Sequence, residues 1–282
     1  MSVISNQTRQ LLEYRIGVSG DFSKLRELVR EALEDGKPIS TLEHLLSQEG
    51  GNLAEEQVEQ AERLGCKILS PLDEGYPVLL AATNDFPLIL WVKGRLPAIS
   101  ERSVAIIGPR EPTRHGEIIA TRMSTYFVSE GWSVVSGLAK GCDAAAHRAA
   151  LAAGGHTVAV LAHGLQTISP KEHKELAAQI VDQGGALVSE FPIGWPPQGG
   201  QFVQRDRTQA GLSQGVVMVQ SGLNGGSLHA PRAALKYGRW VAVPEPTKLD
   251  TFQRSEKIQA NLLLTGNDVL RKVKLMQSKL IE

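Results

Sequence analysis

The sequence predicts an α/β chain, a doubly wound sheet preceded by a small helical module, and three observations carry that expectation. From Cys66 onward short β-rich runs alternate with helical stretches, at Cys66–Leu69, Leu88–Val92, Val104–Ile107, Ser133–Ser136, Thr157–Leu161, Ala186–Ser189, Val216–Val219 and Trp240–Val243. Repeated alternation of this kind marks parallel strands with helices on both faces. Before about Glu62 the period is instead helical, and several strand runs end in a glycine where a helix follows.

The helical period is carried by Leu11, Leu12 and Tyr14, then by Leu25, Leu28, Val29, Ala32 and Leu33, then by Leu42, Leu45 and Leu46. Ser19-Gly20-Asp21 and Asp35-Gly36-Lys37-Pro38 read as turns between these sets, with Ser40 as a helix cap. The module has no concentrated basic or aromatic face, which favours packing or partner contact over nucleic-acid contact. The expected division is a helical module over 1–62 and a sheet domain over 63–282.

At 282 residues the chain has room for one large α/β domain and a smaller module. Lys+Arg and Asp+Glu balance at 30 each, so no global basic field exists and any polyanion site must be a local cluster. Cys66 and Cys142 stand far apart without CxxC spacing, and no basic leader with an apolar core opens the chain. A reduced, cytoplasmic protein with no membrane segment is expected.

Ligands of doubly wound sheets bind beyond the carboxyl ends of the strands. There the sequence places Gly108 and Arg110, Gly137 and Lys140, His163 and Gly164, Glu190, and the Gly222–Ser227 loop. In VAIIGPREPTRHG an apolar run stops at Gly108, sets Arg110 at the mouth of a helix expected from about Gly116, and aims free N–H groups at the crevice. In VVSGLAKGCDAAAHRAAL, Gly137 and Gly141 allow close backbone approach with Lys140 between them, Asp143 reads as a helix start and His147 as an ordinary helix residue. FVQRDRTQAGLS puts Arg205 and Arg207 just before a short helix, with Asp206 between them as an ion-pair partner or cap. Gly225, Gly226 and Ser227 form a second glycine-rich nest ahead of a helix over Leu228–Tyr237, whose Arg232, Lys236 and Arg239 read as a solvated face. No metal cluster, nucleophile–base pair or carboxylate pair emerges, so no catalytic residue, metal or cofactor is expected.

In order along the chain, VAIIGPREPTRHG, VVSGLAKGCDAAAH, ALVSEFPIGWPP, FVQRDRTQAGLS, NGGSLHAPRAALKYGRWVAVPEP and NLLLTGNDV resemble the DNA-processing protein A (DprA/Smf) family. DEGYP and PLILWVKG match the approach to that family's first core strand. The resemblance runs from about Ala61 to Val269 and implies an extended Rossmann-like domain. It also implies single-stranded DNA binding, a homodimer and, in naturally transformable bacteria, transfer of DNA to a RecA-type recombinase. By position it assigns phosphate binding to Gly108 and Arg110, a turn to Ser136–Lys140, and an arginine-rich motif to Arg205 and Arg207.

Four positions depart from the family pattern. Pro109 replaces a Ser or Thr and removes a hydroxyl and an N–H from the anion nest. Asp206 replaces an Asn, Gln220 a Glu, and Glu245 interrupts a Val-Pro-Gly-Pro turn. The family's frequent C-terminal winged helix is expected to be lacking.

Two readings remain open. One is a non-catalytic single-strand binder, with His163, Phe202 or Trp195 stacking on bases. The other is a Rossmann-like nucleotide sensor or nucleotide-processing enzyme, a divergent paralogue in a mobile or defence locus. Enzymes that cleave nucleoside monophosphates carry a Glu after the matching loop, and NGGSLHAPRAA has no acid until Glu245.

Overall fold

The computed structural model describes residues 3–17, 22–35, 48–98, 102–222 and 225–244. Its strands are β1 (Cys66–Leu69), β2 (Leu90–Gly94), β3 (Arg102–Ile107), β4 (Trp132–Ser136), β5 (Thr157–Leu161), β6 (Ala186–Ser189), β7 (Gly215–Met218) and β8 (Trp240–Ala242). They form one sheet in the order β1-β2-β6-β5-β4-β3-β7-β8. From β6 to β8 neighbouring strands are parallel, while β1 and β2 add antiparallel at the β6 edge. The α/β class expected from the alternation is therefore present, with the antiparallel edge as an addition.

Chain order advances from β3 through β6 on one side, then returns to the other side of β3 for β7 and β8. Such a reversal parts the loops at the strand ends and leaves a crevice there. Successive side chains of β3 serve opposite faces. Val104 and Ile106 pack with residues of α5 (Arg114–Ser129) and α6 (Cys142–Ala152), whereas Ala105 and Ile107 join those of α8 (Gly199–Gly211) and α9 (His229–Lys236).

Three earlier helices, α1 (Asn6–Gly17), α2 (Ser23–Asp35) and α3 (Gln48–Leu64), pack on the sheet itself, and the short α4 (Val78–Ala81) and α7 (Lys174–Asp182) complete the α-helices of the described residues. Leu11, Leu12, Val29 and Ala61 share one buried cluster with Ile68 and Trp91 of β1 and β2. Backbone pairing reinforces it, since Ile68 N–H donates to Val3 O at 3.0 Å. Gln57 donates to Ile193 O at 2.9 Å and accepts from Ile193 N–H at 2.8 Å. The expected turns at Ser19–Asp21 and Gly36–Pro38, the apolar set Leu42, Leu45 and Leu46, and Glu245 lie outside the described residues.

Several element boundaries shift by one or two residues from the sequence reading, and two differences bear on the account. The second strand begins at Leu90 rather than Leu88, because the chain before it is held by a turn contact, Tyr76 Oη donating to Pro87 O at 2.6 Å. More consequentially, Arg205 and Arg207 do not precede a helix but lie inside α8. A reciprocal cap opens that helix, with Gln201 Oε1 accepting from Gln198 N–H at 2.7 Å. This cap supplies the start signal that the weak helix formers Gly199 and Gly200 conceal.

Candidate functional site

A cavity of about 130 Å³ opens at the carboxyl ends of β3, β4 and β5, lined among others by Arg110, Gly137, Lys140, His163, Phe202 and Arg205. Residues separated by nearly a hundred positions converge there because each follows a strand or projects from α8, which lies on one face of the sheet.

Arg110 belongs to the turn between β3 and α5. Thr113 caps α5, its Oγ1 accepting from Gly116 N–H at 3.0 Å. Gln220, at the end of β7, grips that cap from both sides, donating to Thr113 Oγ1 at 2.9 Å and accepting from Thr113 N–H at 3.1 Å. The amide thus meets the cap with both a donor and an acceptor. Pro109 costs the turn a donor, but its carbonyl accepts from Cys142 N–H at 3.3 Å and ties the turn to the start of α6. Arg110 is exposed and its Cζ stands 5.2 Å from the centre of the Phe202 ring.

The turn after β4 is shaped by two unusual residues. Leu138 is wholly buried with φ 59, a left-handed conformation costly for a leucine, and its carbonyl accepts from His173 Nδ1 at 2.8 Å. Gly137 has no room for a Cβ, which would overlap the Arg205 guanidinium. Lys140, at the tip, is exposed and forms an ion pair with the exposed Glu172. Ser136 is turned inward, its hydroxyl donating to Ile106 O at 2.7 Å, so it joins β4 to β3 rather than facing the cavity.

Arg205 is the buried floor of the site, only 6% exposed. Its Nη1 donates to Val160 O at 3.2 Å and lies 3.9 Å from Asp143, while its Nε lies 3.0 Å from Asp206. Two carboxylates therefore share this cation. Burial raises the Asp143 carboxyl above its ordinary range against the pull of Arg205. Burial also pushes Asp206 up to about 6, with Arg205 opposing and the Asp143 charge adding to the rise. His163 is 1% exposed and kept neutral by burial; its Nδ1 donates to Gly164 O at 2.9 Å, which leaves Nε2 as an unpaired acceptor.

Other expected site residues lie apart from this cavity. Arg207 points to the opposite flank of α8, where its Nη1 is 3.5 Å from Asp85, an acid also held by Lys236 and Tyr237. The cause is helical geometry, since residues two apart face nearly opposite ways. Glu190 shares that flank, buried and bonded by Thr208 Oγ1 at 2.9 Å and Gln204 Nε2 at 2.7 Å. Gly164 donates its N–H to Trp195 O at 3.0 Å and packs against the chain at Pro192. Gly108 abuts Cys142, whose sulfur would collide with a Cβ. Gly225 closes a turn on Gly222 at 3.0 Å, with Gly226 and Ser227 in the short helical turn after it. His147 is a helix residue as expected, and it is wholly buried, with its Nδ1 2.7 Å from Thr157 Oγ1. The acids around Arg205 and the strained Leu138 were not assigned to the site from the sequence; Asp143 read simply as a helix start.

Among the described residues no three His, Cys, Asp or Glu side chains converge as metal ligands would, and no helix is long and apolar enough to cross a membrane. Chemically, the cavity offers two exposed cations at its mouth, an aromatic wall and a floor whose charge is already balanced. Such an arrangement is chemically suited to an anion at the entrance and a flat ring against Phe202.

Comparison with known proteins gives a consistent result. The family model for DNA recombination-mediator protein A matches residues 67–274. Protein Smf of Escherichia coli (strain K12) is 44% identical over 180 residues, covering 63% of this chain and 48% of that protein. The chain spans about half the length of the curated relatives it matches most strongly. Among solved structures, DNA processing protein A from Streptococcus pneumoniae superposes with a TM-score of 0.72 at 26% identity, covering 93% of this chain and 94% of that one. DNA processing protein A from Helicobacter pylori, described for its single-stranded DNA binding mode, does so with a TM-score of 0.59 at 25% identity, covering 76% and 96%.

Proposed function

This chain belongs to the DNA recombination-mediator protein A family, and from that premise we propose that it binds single-stranded DNA, without catalysing a reaction on it, and presents the strand to a RecA-type recombinase. The observation that carries the reading is the joining of Arg110 and Lys140 at the mouth of one cavity with Phe202 on its wall. Single-strand binders use this combination, with cations following the phosphates and an aromatic face taking a base. Arg110 and Lys140 are assigned the phosphate contacts, while Gly137 leaves room for the Arg205 guanidinium beneath them. Arg205 acts from beneath as a positioning residue that holds the turn after β4 and the start of α8 together. Gly108, Ser136 and Gly164 shape the rim without contacting the strand, and Arg207, Gly225, Gly226 and Ser227 are assigned no contact in this cavity. A homodimer would join two such sites into one track and raise apparent affinity by linkage.

Titration of labelled single-stranded, double-stranded and mononucleotide ligands at two salt concentrations tests the proposal. Preference for the single strand with strong salt dependence is expected. Equal binding of single and double strands, or release of free base from a mononucleotide, would contradict it.

A further inference from the structure

A second polar cavity, of about 230 Å³, opens near the other flank of α8, where α1 and α2 meet the loop before β2 and the end of β6. Arg15, Phe22, Arg26, Glu190 and Gln204 line it. The Arg15 guanidinium lies over the Phe22 ring, 4.6 Å from its centre. Arg26 spends only its Nε, donating to Phe86 O at 2.9 Å, which leaves both terminal amino groups uncommitted. Among the described residues neither arginine forms an ion pair. Glu190 offsets part of the Arg15 charge from across the cavity but forms no ion pair with either arginine, its two oxygens accepting from Thr208 and Gln204. Burial lowers the Arg15 pKa, the mark of a cation drawn from water without a full partner.

We propose that this cavity is a second phosphate site, taking the phosphate group of a nucleotide between the forks of Arg15 and Arg26. Two half-buried cations on separate helices facing one cavity repel each other, and an anion between them offsets both costs. Phosphate suits the geometry better than carboxylate, because its non-bridging oxygens, two in a strand and three in a monophosphate, spread tetrahedrally rather than in one plane and can meet two forks on separate helices. Phe22 supplies an apolar wall for the sugar or base attached to it. The phosphate has two sources: a strand continuing past α8 from the first cavity, or a free nucleotide. The site stands without the single-strand reading, since a free nucleotide would fill it equally.

The test uses the whole chain with four probes: inorganic phosphate, thymidine 5′-monophosphate, and thymidine oligonucleotides of about 6 and about 20 nucleotides. Each is titrated against the parent, Arg15→Gln/Arg26→Gln, Arg15→Lys/Arg26→Lys and Arg110→Ala. If a strand supplies the phosphate, the glutamine pair weakens the long oligonucleotide about tenfold and flattens its salt slope by about 0.7, leaving the short one unchanged. If a free nucleotide supplies it, the monophosphate and inorganic phosphate lose their stabilising effect on melting while both oligonucleotides bind as before. The lysine pair keeps charge and stem packing but not the forks, and decides the matter should the glutamine pair fail to fold. Parent-like response to all four probes in folded double variants overturns the site. Arg110→Ala reports separately on the first cavity: if it leaves strand binding intact while the Arg15 and Arg26 changes still remove the nucleotide response, the DNA reading falls and this site stands.

Discussion

Arg205 shows how burial changes what a charge is for. Read from the sequence, it belonged to an arginine-rich phosphate motif with Asp206 as an ion-pair partner or cap; in the fold Asp143 and Asp206 both hold it. Arg205→Ala should therefore destabilise the protein by about 3–5 kcal/mol, since it leaves two buried acids without their cation, and chemical denaturation of the variant checks this. Unchanged stability would mean that Arg205 serves only a ligand. Asp206 adds a pH dependence. Its folded pKa of about 6 exceeds the ordinary 3.8, so the folded protein holds a proton that the unfolded chain has released. Stability from this residue is accordingly lost as pH rises from 3.8 to about 6. The same proton removes a negative charge beside the cavity, so single-strand binding by the parent should tighten roughly 3- to 10-fold from neutral pH to below 6. Asp206→Asn should bind tightly and evenly across that range, and a parent-like slope in the variant would assign the dependence to another group.

At the scale of elements, what the sequence disclosed and what it hid have physical causes. Strands β1, β5 and β6 match their expected bounds, because β5 and β6 are buried apolar runs between turn residues and β1 alternates buried and more exposed positions over its four residues. Helix α8 was hidden, because GGQFVQRDRTQAG opens on two glycines and its start depends on a side-chain cap between Gln198 and Gln201. Once the helix is known, Arg205 and Arg207 cannot share a rim, and the arginine-rich motif divides into a floor residue and a partner of Asp85. The grip of Gln220 on Thr113 was equally out of reach, since it joins positions 107 residues apart. Thr113→Ala should cost about 1 kcal/mol by freeing the first turn of α5. Thermal melting of that variant measures the loss, and no change would show that Gln220 alone secures the turn that carries Arg110.

Across the whole molecule, a near-neutral charge places the burden of anion binding on where cations are brought together. The sequence located Arg110 and Lys140, because strand ends of a doubly wound sheet gather on one edge. It separated the N-terminal helices from the sheet domain, yet Leu11, Leu12 and Val29 share a core with Ile68 and Trp91. Removing residues 1–62 should expose that apolar surface and yield a chain that aggregates or binds a hydrophobic dye, whereas a soluble truncation with full melting cooperativity would argue for independent folding. The most direct test of the proposed interface is the salt dependence of single-strand affinity in Arg110→Ala/Lys140→Ala. Loss of about 1–3 kcal/mol per cation and a slope shallower by about 1.4 units are expected, with the melting temperature unchanged. A double variant that binds single strands with the parent's affinity and slope would place the DNA elsewhere on the molecule.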